Sequence, residues 1–165
     1  MRPGAAAAVF IAGLAFSEIG QATDPAADQA IPIPLYEAIE DVPRRTDLPL
    51  VLVFFSTACP ACWDDLFAVR QLIGERGFDC ELVGVTRDSE REVRAFLEKY
   101  GFAGPVVRDA RKRLFRAHAV ELEPAAVVIE DGRVVYKDDA YRDYPSRREE
   151  LKTWMTRRSA GRISA

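Results

Sequence analysis

Leu50-Val51-Leu52-Val53-Phe54-Phe55 is an unbroken apolar run, introduced by Asp47-Leu48-Pro49. A run of that length is the pattern of a strand covered on both faces, so it predicts the central strand of a sheet. After Cys59 the period changes. Cys62, Leu66, Val69 and Ile73 recur at i, i+4, i+7 and i+11, a helical stripe that closes near Gly74 and Gly77. Glu81 to Thr86 predicts a second strand. Ser89-Glu90-Arg91-Glu92 has capping-box spacing, and Val93, Phe96, Leu97 and Tyr100 then line one face of a helix that Gly101 stops. Val106-Val107 predicts a short strand, and Ala110 to Ala119 a third helix with Leu114 and Phe115 inward. Ala126 to Ile129 and Val134 to Tyr136 flank Asp131-Gly132, the dipeptide preferred in two-residue hairpin turns. Ser146 and Glu149 repeat the capping-box spacing ahead of a final helix whose buried face is Leu151, Trp154 and Met155. Earlier in the chain, residues 23–34 read as a linker, because Pro25, Pro32 and Pro34 forbid regular helix, and Leu35 to Asp41 as a short helical turn.

This order of elements implies a parallel crossover extended by an antiparallel hairpin: an α/β fold with a mixed sheet and helices on both faces. The chain's 165 residues, 48% hydrophobic and 30% charged, suit one globular domain, placed at 35–165. Residues 1–22 read separately. Arg2, the apolar stretch Ala5 to Phe16 and the small residues of Gly20-Gln21-Ala22 form a cleavable export signal, too short in its apolar part for the roughly 20 residues that span a bilayer. An uncleaved N-terminal anchor is the alternative.

Removing Arg2 and Glu18 with the signal leaves the net charge at -3, which argues against a nucleic-acid partner. Arg147, Arg148, Lys152, Arg157, Arg158 and Arg162 alternate with Glu149 and Glu150, the pattern of a solvated helix face.

The candidate chemistry lies where the first strand ends. Ser56, Thr57 and Ala58 turn the chain, and Cys59-Pro60-Ala61-Cys62 opens the helix. A sulfur at that point sits beside backbone N–H groups with no helical partner, which favours its thiolate and points to thiol-disulfide chemistry. If Cys59 and Cys62 form a bridge, Cys80 is left over. It begins the apolar stretch Cys80 to Val85 and is read as a structural, buried thiol.

Four segments together carry a family resemblance: Phe54-Phe55-Ser-Thr-Ala-Cys-Pro-Ala-Cys, Val83-Gly-Val-Thr, Val120-Glu-Leu-Glu-Pro124-Ala-Ala-Val-Val-Ile and Asp131-Gly-Arg-Val-Val-Tyr. Over roughly Leu48 to Trp154 the chain resembles the thioredoxin superfamily, specifically the bacterial envelope redoxins of TlpA/ResA type. The resemblance implies a thioredoxin-like fold with Cys59 as attacking cysteine, Cys62 as resolving cysteine and Pro124 as a cis proline facing them. It places Asp65 where such proteins carry a glutamate, as proton acceptor or donor for the resolving thiol; the competing role is first-turn helix stabilisation, which Asp64 also could serve. Glu123 stands where an uncharged residue is usual. Near the sulfurs its carboxylate would raise their pKa and select a basic substrate, unless the side chain points into water. Trp63 either covers the disulfide or packs in the core. The sequence departs from the pattern at Ala58, Val53 and Phe67.

The function implied is a periplasmic thiol-disulfide oxidoreductase without cofactor. Its partners would be disulfide-bearing proteins and an electron-donating membrane thiol protein, and its role reductive, as in cytochrome c maturation or metal-site assembly. An oxidant or isomerase would use the same residues. A Cu(I)-binding metallochaperone would use the cysteine pair, but the sole histidine, His118, falls in the third helix pattern. A thiol peroxidase lacks its threonine, since Ser56 is the residue three before Cys59. A Cys-His hydrolase would need His118 to meet Cys59, and no pattern in the sequence brings them together.

Overall fold

The computed structural model describes residues 34–138 and 141–162, so the expected export signal and all of the expected linker except Pro34 lie outside the described residues. In chain order the elements are β1 (Leu35–Tyr36), a 3-10 turn (Ile39–Asp41), β2 (Leu50–Phe54), α1 (Pro60–Arg76), β3 (Glu81–Thr86), α2 (Glu90–Tyr100), β4 (Val106–Arg108), α3 (Arg113–Ala117), β5 (Ala125–Glu130), β6 (Arg133–Lys137) and α4 (Tyr144–Arg162). The sheet runs β1-β4-β3-β2-β5-β6. β1, β4, β3 and β2 are mutually parallel, while β5 is antiparallel to β2 and β6 to β5. This is the mixed α/β sheet expected from the order of elements.

All five residues of β2 are buried. Successive side chains on a strand point to opposite faces, and β2 divides accordingly. Val51, Val53 and Phe55 face a core formed by Cys62, Leu66 and Val69 of α1, Val93, Phe96 and Leu97 of α2, and Leu151 and Met155 of α4. Leu50, Leu52 and Phe54 face the other core with Val42 and Phe115 of α3. A strand with two dry faces reads as continuous apolar sequence, and the run from Leu50 to Phe55 is the consequence.

The caps explain where helices start and stop. At α2 the Ser89 hydroxyl accepts from the Glu92 N–H, the Glu92 carboxylate accepts from the Ser89 N–H, and Gly101 ends the helix at φ 65°. Ser89→Ala is expected to cost about 1 kcal/mol, read as a lower urea midpoint at unchanged slope. In the hairpin, Asp131 and Gly132 both take positive φ, the requirement of the two-residue turn that matches strand twist.

Three local expectations are corrected. Leu35 and Tyr36 form a short strand against β4 rather than helix, and only Ile39–Asp41 turns helically. The third helix spans Arg113–Ala117 instead of Ala110 to Ala119. Lys112 sits at φ 55°, and the buried Asp109 carboxylate accepts from the N–H groups of Arg113, Leu114 and Phe115, so the helix cannot begin earlier. The final helix begins at Tyr144, and Ser146 is not its cap. Asp143, immediately before it, accepts from the Ser146 N–H and hydroxyl, with Pro145 tolerated in a first turn that lacks carbonyl partners.

Candidate active site

β2 delivers the chain to the carboxyl end of the parallel strands, and α1 starts there. Between them the Asp88 carboxylate, just past β3, accepts from the Thr57 N–H, the Thr57 hydroxyl (2.7 Å) and the Ser56 hydroxyl (3.2 Å). The loop ahead of the cysteines is thereby fixed to the neighbouring strand. Sequence reasoning missed Asp88, and its one signal was an acidic residue between a strand end and a helix cap.

Cys59 is the N-cap of α1, and Pro60 follows at the first helical position, where a missing N–H leaves no helical bond unmade. The Cys62 N–H donates to the Cys59 carbonyl at 2.9 Å, closing the turn that brings the sulfurs together. Cys59 and Cys62 form a disulfide with Cα atoms 5.3 Å apart. The two sulfurs differ in access. Cys59 is half-buried, whereas Cys62 is 1% exposed and belongs to the core. Trp63 turns away into an aromatic cluster, its ring 4.3 Å from Tyr100 and 6.0 Å from Phe96, so it is a packing residue.

Asp65 is wholly buried. It lies one turn beyond Cys62 on the same helix face, where i and i+3 side chains are neighbours. No acidic residue lies in the first turn of α1, so neither Asp65 nor Asp64 serves the helix dipole, whose effect fades within that turn. The partner of Asp65 comes from α4: Arg148 Nε stands 2.8 Å from Asp65 Oδ1, in an ion contact too bent to satisfy the carboxylate as a hydrogen bond. Burial pushes the Asp65 carboxyl above its ordinary range, with Arg148 pulling the other way.

The expectation of a solvated basic face on the last helix is therefore wrong for Arg147 and Arg148. Arg147 is 8% exposed, and the Arg148 side chain 13%. Both project inward from the first turns of α4 because two buried carboxylates, Asp65 and Asp138, lie beneath them. Arg148 also binds Asp138, which accepts from the Ala126 N–H at 2.8 Å and the Tyr136 hydroxyl at 2.7 Å. Arg147 Nη1 donates to the Pro124 carbonyl at 2.7 Å. No local pattern in the sequence marks these partners, which come from different elements.

The Glu123–Pro124 peptide is cis. Glu123 does not point into water: its side chain is 10% exposed and its Oε2 stands 2.7 Å from Arg87 Nη2. The Arg87 guanidinium lies 4.9 Å over the Phe115 ring. The pairing offsets the lone negative charge on which selection of basic substrates would depend.

Cys80 is half-buried against the core, and burial, aided by Asp79 and Glu81, pushes its thiol up to about 12, so it stays protonated at neutral pH. His118 caps α3, with its ring 6.2 Å from that of Phe54. Phe54 belongs to the core across the sheet from the one holding Cys62, so the imidazole and the buried sulfur lie on opposite faces. Among the described residues, no helix is long and apolar enough to cross a membrane.

Several solved structures share this fold. A secreted Mycobacterium tuberculosis disulfide oxidoreductase homologous to E. coli DsbE matches at TM-score 0.51 and 21% identity, over 67% of this chain and 81% of that one. A putative thiol:disulfide interchange protein DsbE from Chlorobium tepidum matches at TM-score 0.56 and 21% identity, over 66% and 77%. The Xanthomonas campestris bacterioferritin comigratory protein, described for alkyl peroxide reduction, matches at TM-score 0.56 and 22% identity, over 68% and 81%. No curated protein sequence matches. The thioredoxin-like fold expected from the sequence is thus the fold observed. The AhpC/TSA family model covers residues 39–137, more than half of the chain, from the 3-10 turn through the cysteine pair to the end of β6, and the chain belongs to the AhpC/TSA family.

Proposed function

We propose that this protein is an exported thiol-disulfide oxidoreductase that reduces disulfides in partner proteins, with residues 1–22 as its signal and 35–165 as the working domain. The observation that carries the reading is the unequal pair of bridged sulfurs at the start of α1, one accessible and one buried. In the reduced protein the Cys59 thiolate attacks a partner disulfide. A Cys59–partner bond forms, and the partner's other sulfur leaves with the electron pair and takes a proton from solvent. Cys62 then gives its proton to Asp65 and attacks Cys59. The intramolecular bridge forms, the Cys59–partner bond breaks, and the partner's second sulfur leaves with the electron pair and takes a proton from solvent, so that the partner departs with two thiols. The released proton passes from Asp65 to solvent, and the protein is left oxidised. An electron-donating thiol protein of the membrane restores the dithiol.

A surface groove of about 450 Å³, lined in part by Val120, Leu122, Ala125 and Tyr141, brackets Glu123 and Pro124. Leu122, 54% exposed and two residues before the cis proline, suits a polypeptide partner. Peroxide reduction, the activity described for the Xanthomonas campestris relative, would draw on the same Cys59. Here the hydroxyl three residues ahead of it, that of Ser56, donates to Asp88 instead of facing a substrate.

Equilibration with glutathione buffers and single turnover against insulin test the proposal. The reduced protein is expected to convert one insulin disulfide per Cys59–Cys62 bridge formed, with a potential nearer the about -270 mV of thioredoxin than the about -120 mV of a strong oxidant. A potential at the oxidising end overturns the reductive direction. Failure to exchange with insulin, together with rapid consumption of hydrogen peroxide, overturns the disulfide reading itself.

A further inference from the structure

We propose that Arg148, on the C-terminal helix, is a positioning residue for the dithiol: it holds Asp65 ionised behind Cys62, ready to receive the proton of the resolving thiol. The inference rests on the functional reading above.

The buried group is balanced in charge, and its balance depends on one side chain. Asp65 from α1 and Asp138 from the end of β6 supply two negative charges; Arg147 and Arg148 from α4 supply two positive ones. Arg148 alone touches both carboxylates, through Nε to Asp65 and Nη2 to Asp138. Arg147 stands 3.9 Å from Asp138 and spends its Nη1 hydrogen bond on the Pro124 carbonyl. The guanidinium fork is suited to this bridging, because its N–H groups diverge in one plane.

Without Arg148 the group would hold an excess negative charge away from water. A buried charge without a partner is relieved by taking up a proton. Asp138 would resist that proton, since the Ala126 N–H and the Tyr136 hydroxyl already donate to it. Asp65 would take it, since neither of its oxygens has a well-formed hydrogen bond and the one hydroxyl that favours its ionised form, that of Tyr144, carries no charge to replace the guanidinium. The other groups facing Asp65 do not replace Arg148. The Tyr144 hydroxyl on α4 is neutral, Asp138 repels, Arg147 is committed elsewhere, and Cys62 on its own helix is the proton's source. An Asp65 already protonated at neutral pH cannot receive a proton from Cys62, and the second half of the exchange stalls until the pH rises.

The test follows the Asp65 carboxyl by carbon NMR through a pH titration of the reduced full chain, beside the rate of partner release from the Cys59 mixed disulfide. Arg148→Met is expected to raise the Asp65 midpoint by more than one pH unit, a tenfold or greater change in proton affinity, and to slow release at pH 7 by about tenfold. Added to Asp65→Asn, it should slow release no further. A midpoint that stays put in Arg148→Met overturns the proposal, as does a double variant slower than Asp65→Asn alone. If Arg148→Met does not fold, Arg148→Lys supplies the reading: a point charge cannot bridge both carboxylates, so the midpoint rises by a smaller amount, and an unmoved midpoint overturns the proposal. The carboxyl titration needs no turnover, so loss of the functional reading and loss of this inference give different results.

Discussion

Cys59→Ser is expected to abolish disulfide exchange, leaving no mixed disulfide with any partner, while the fold persists. Cys59 is half-buried at the helix cap and its hydroxyl replacement fits the same space, but a serine alkoxide is not formed there at neutral pH. Cys62→Ala should do something different. Attack still occurs at Cys59, and the partner stays bound through the mixed disulfide. Resolution by a neighbouring thiol works at effective concentrations of about 10⁵ M or more. Without it release depends on millimolar external thiol and slows by orders of magnitude. Mass spectrometry of the reaction with a disulfide-bearing protein distinguishes the two variants. An adduct on Cys62 in the Cys59→Ser protein would reverse the roles, against the near-complete burial of Cys62.

The largest loss of stability away from the sulfurs is expected from Asp138→Ala. Asp138 is 3% exposed and holds the Arg148 guanidinium, the Ala126 N–H and the Tyr136 hydroxyl at once. Its removal leaves one buried carboxylate, Asp65, for two buried guanidiniums, and strips a β5 N–H of its acceptor. Breaking a buried pair by deleting one partner costs about 3–5 kcal/mol, out of a total stability of about 5–15 kcal/mol for such a domain. With a urea slope of about 2 kcal/mol/M, the unfolding midpoint should fall by roughly 2 M. Asp138→Asn keeps an acceptor for the Ala126 N–H and should lose less. Equal losses in the two variants would mean that the hydrogen bond counts for nothing and the charge for everything.

The local expectations that held share one property: the residues responsible lie within a few positions of one another. The Ser89 box, the Gly101 stop, the Asp131-Gly132 turn and the placement of the cysteines at the start of α1 are all decided by neighbours along the chain. Expectations failed where a distant group intervened. Asp109 delays α3 from across a loop, and β4 recruits Leu35 and Tyr36 into a strand too short to show a period. Arg147 and Arg148 misled for the same reason. Basic residues alternating with Glu149 and Glu150 look solvated unless buried carboxylates await them.

By itself, then, the sequence determined the order of strands and helices from β2 onward, the two-faced burial of β2 and the seat of the dithiol, because hydrophobic period and caps act over one or two turns. Tertiary structure alone decided the electrostatics around the sulfurs. Arg87 meets Glu123 across 36 positions, Asp88 reaches back 31 to Thr57, and Arg148 spans from α1 to the end of β6. A charge inside a protein takes its meaning from whichever group is folded against it in low dielectric, and nothing local to Asp65 announces that its partner is the C-terminal helix.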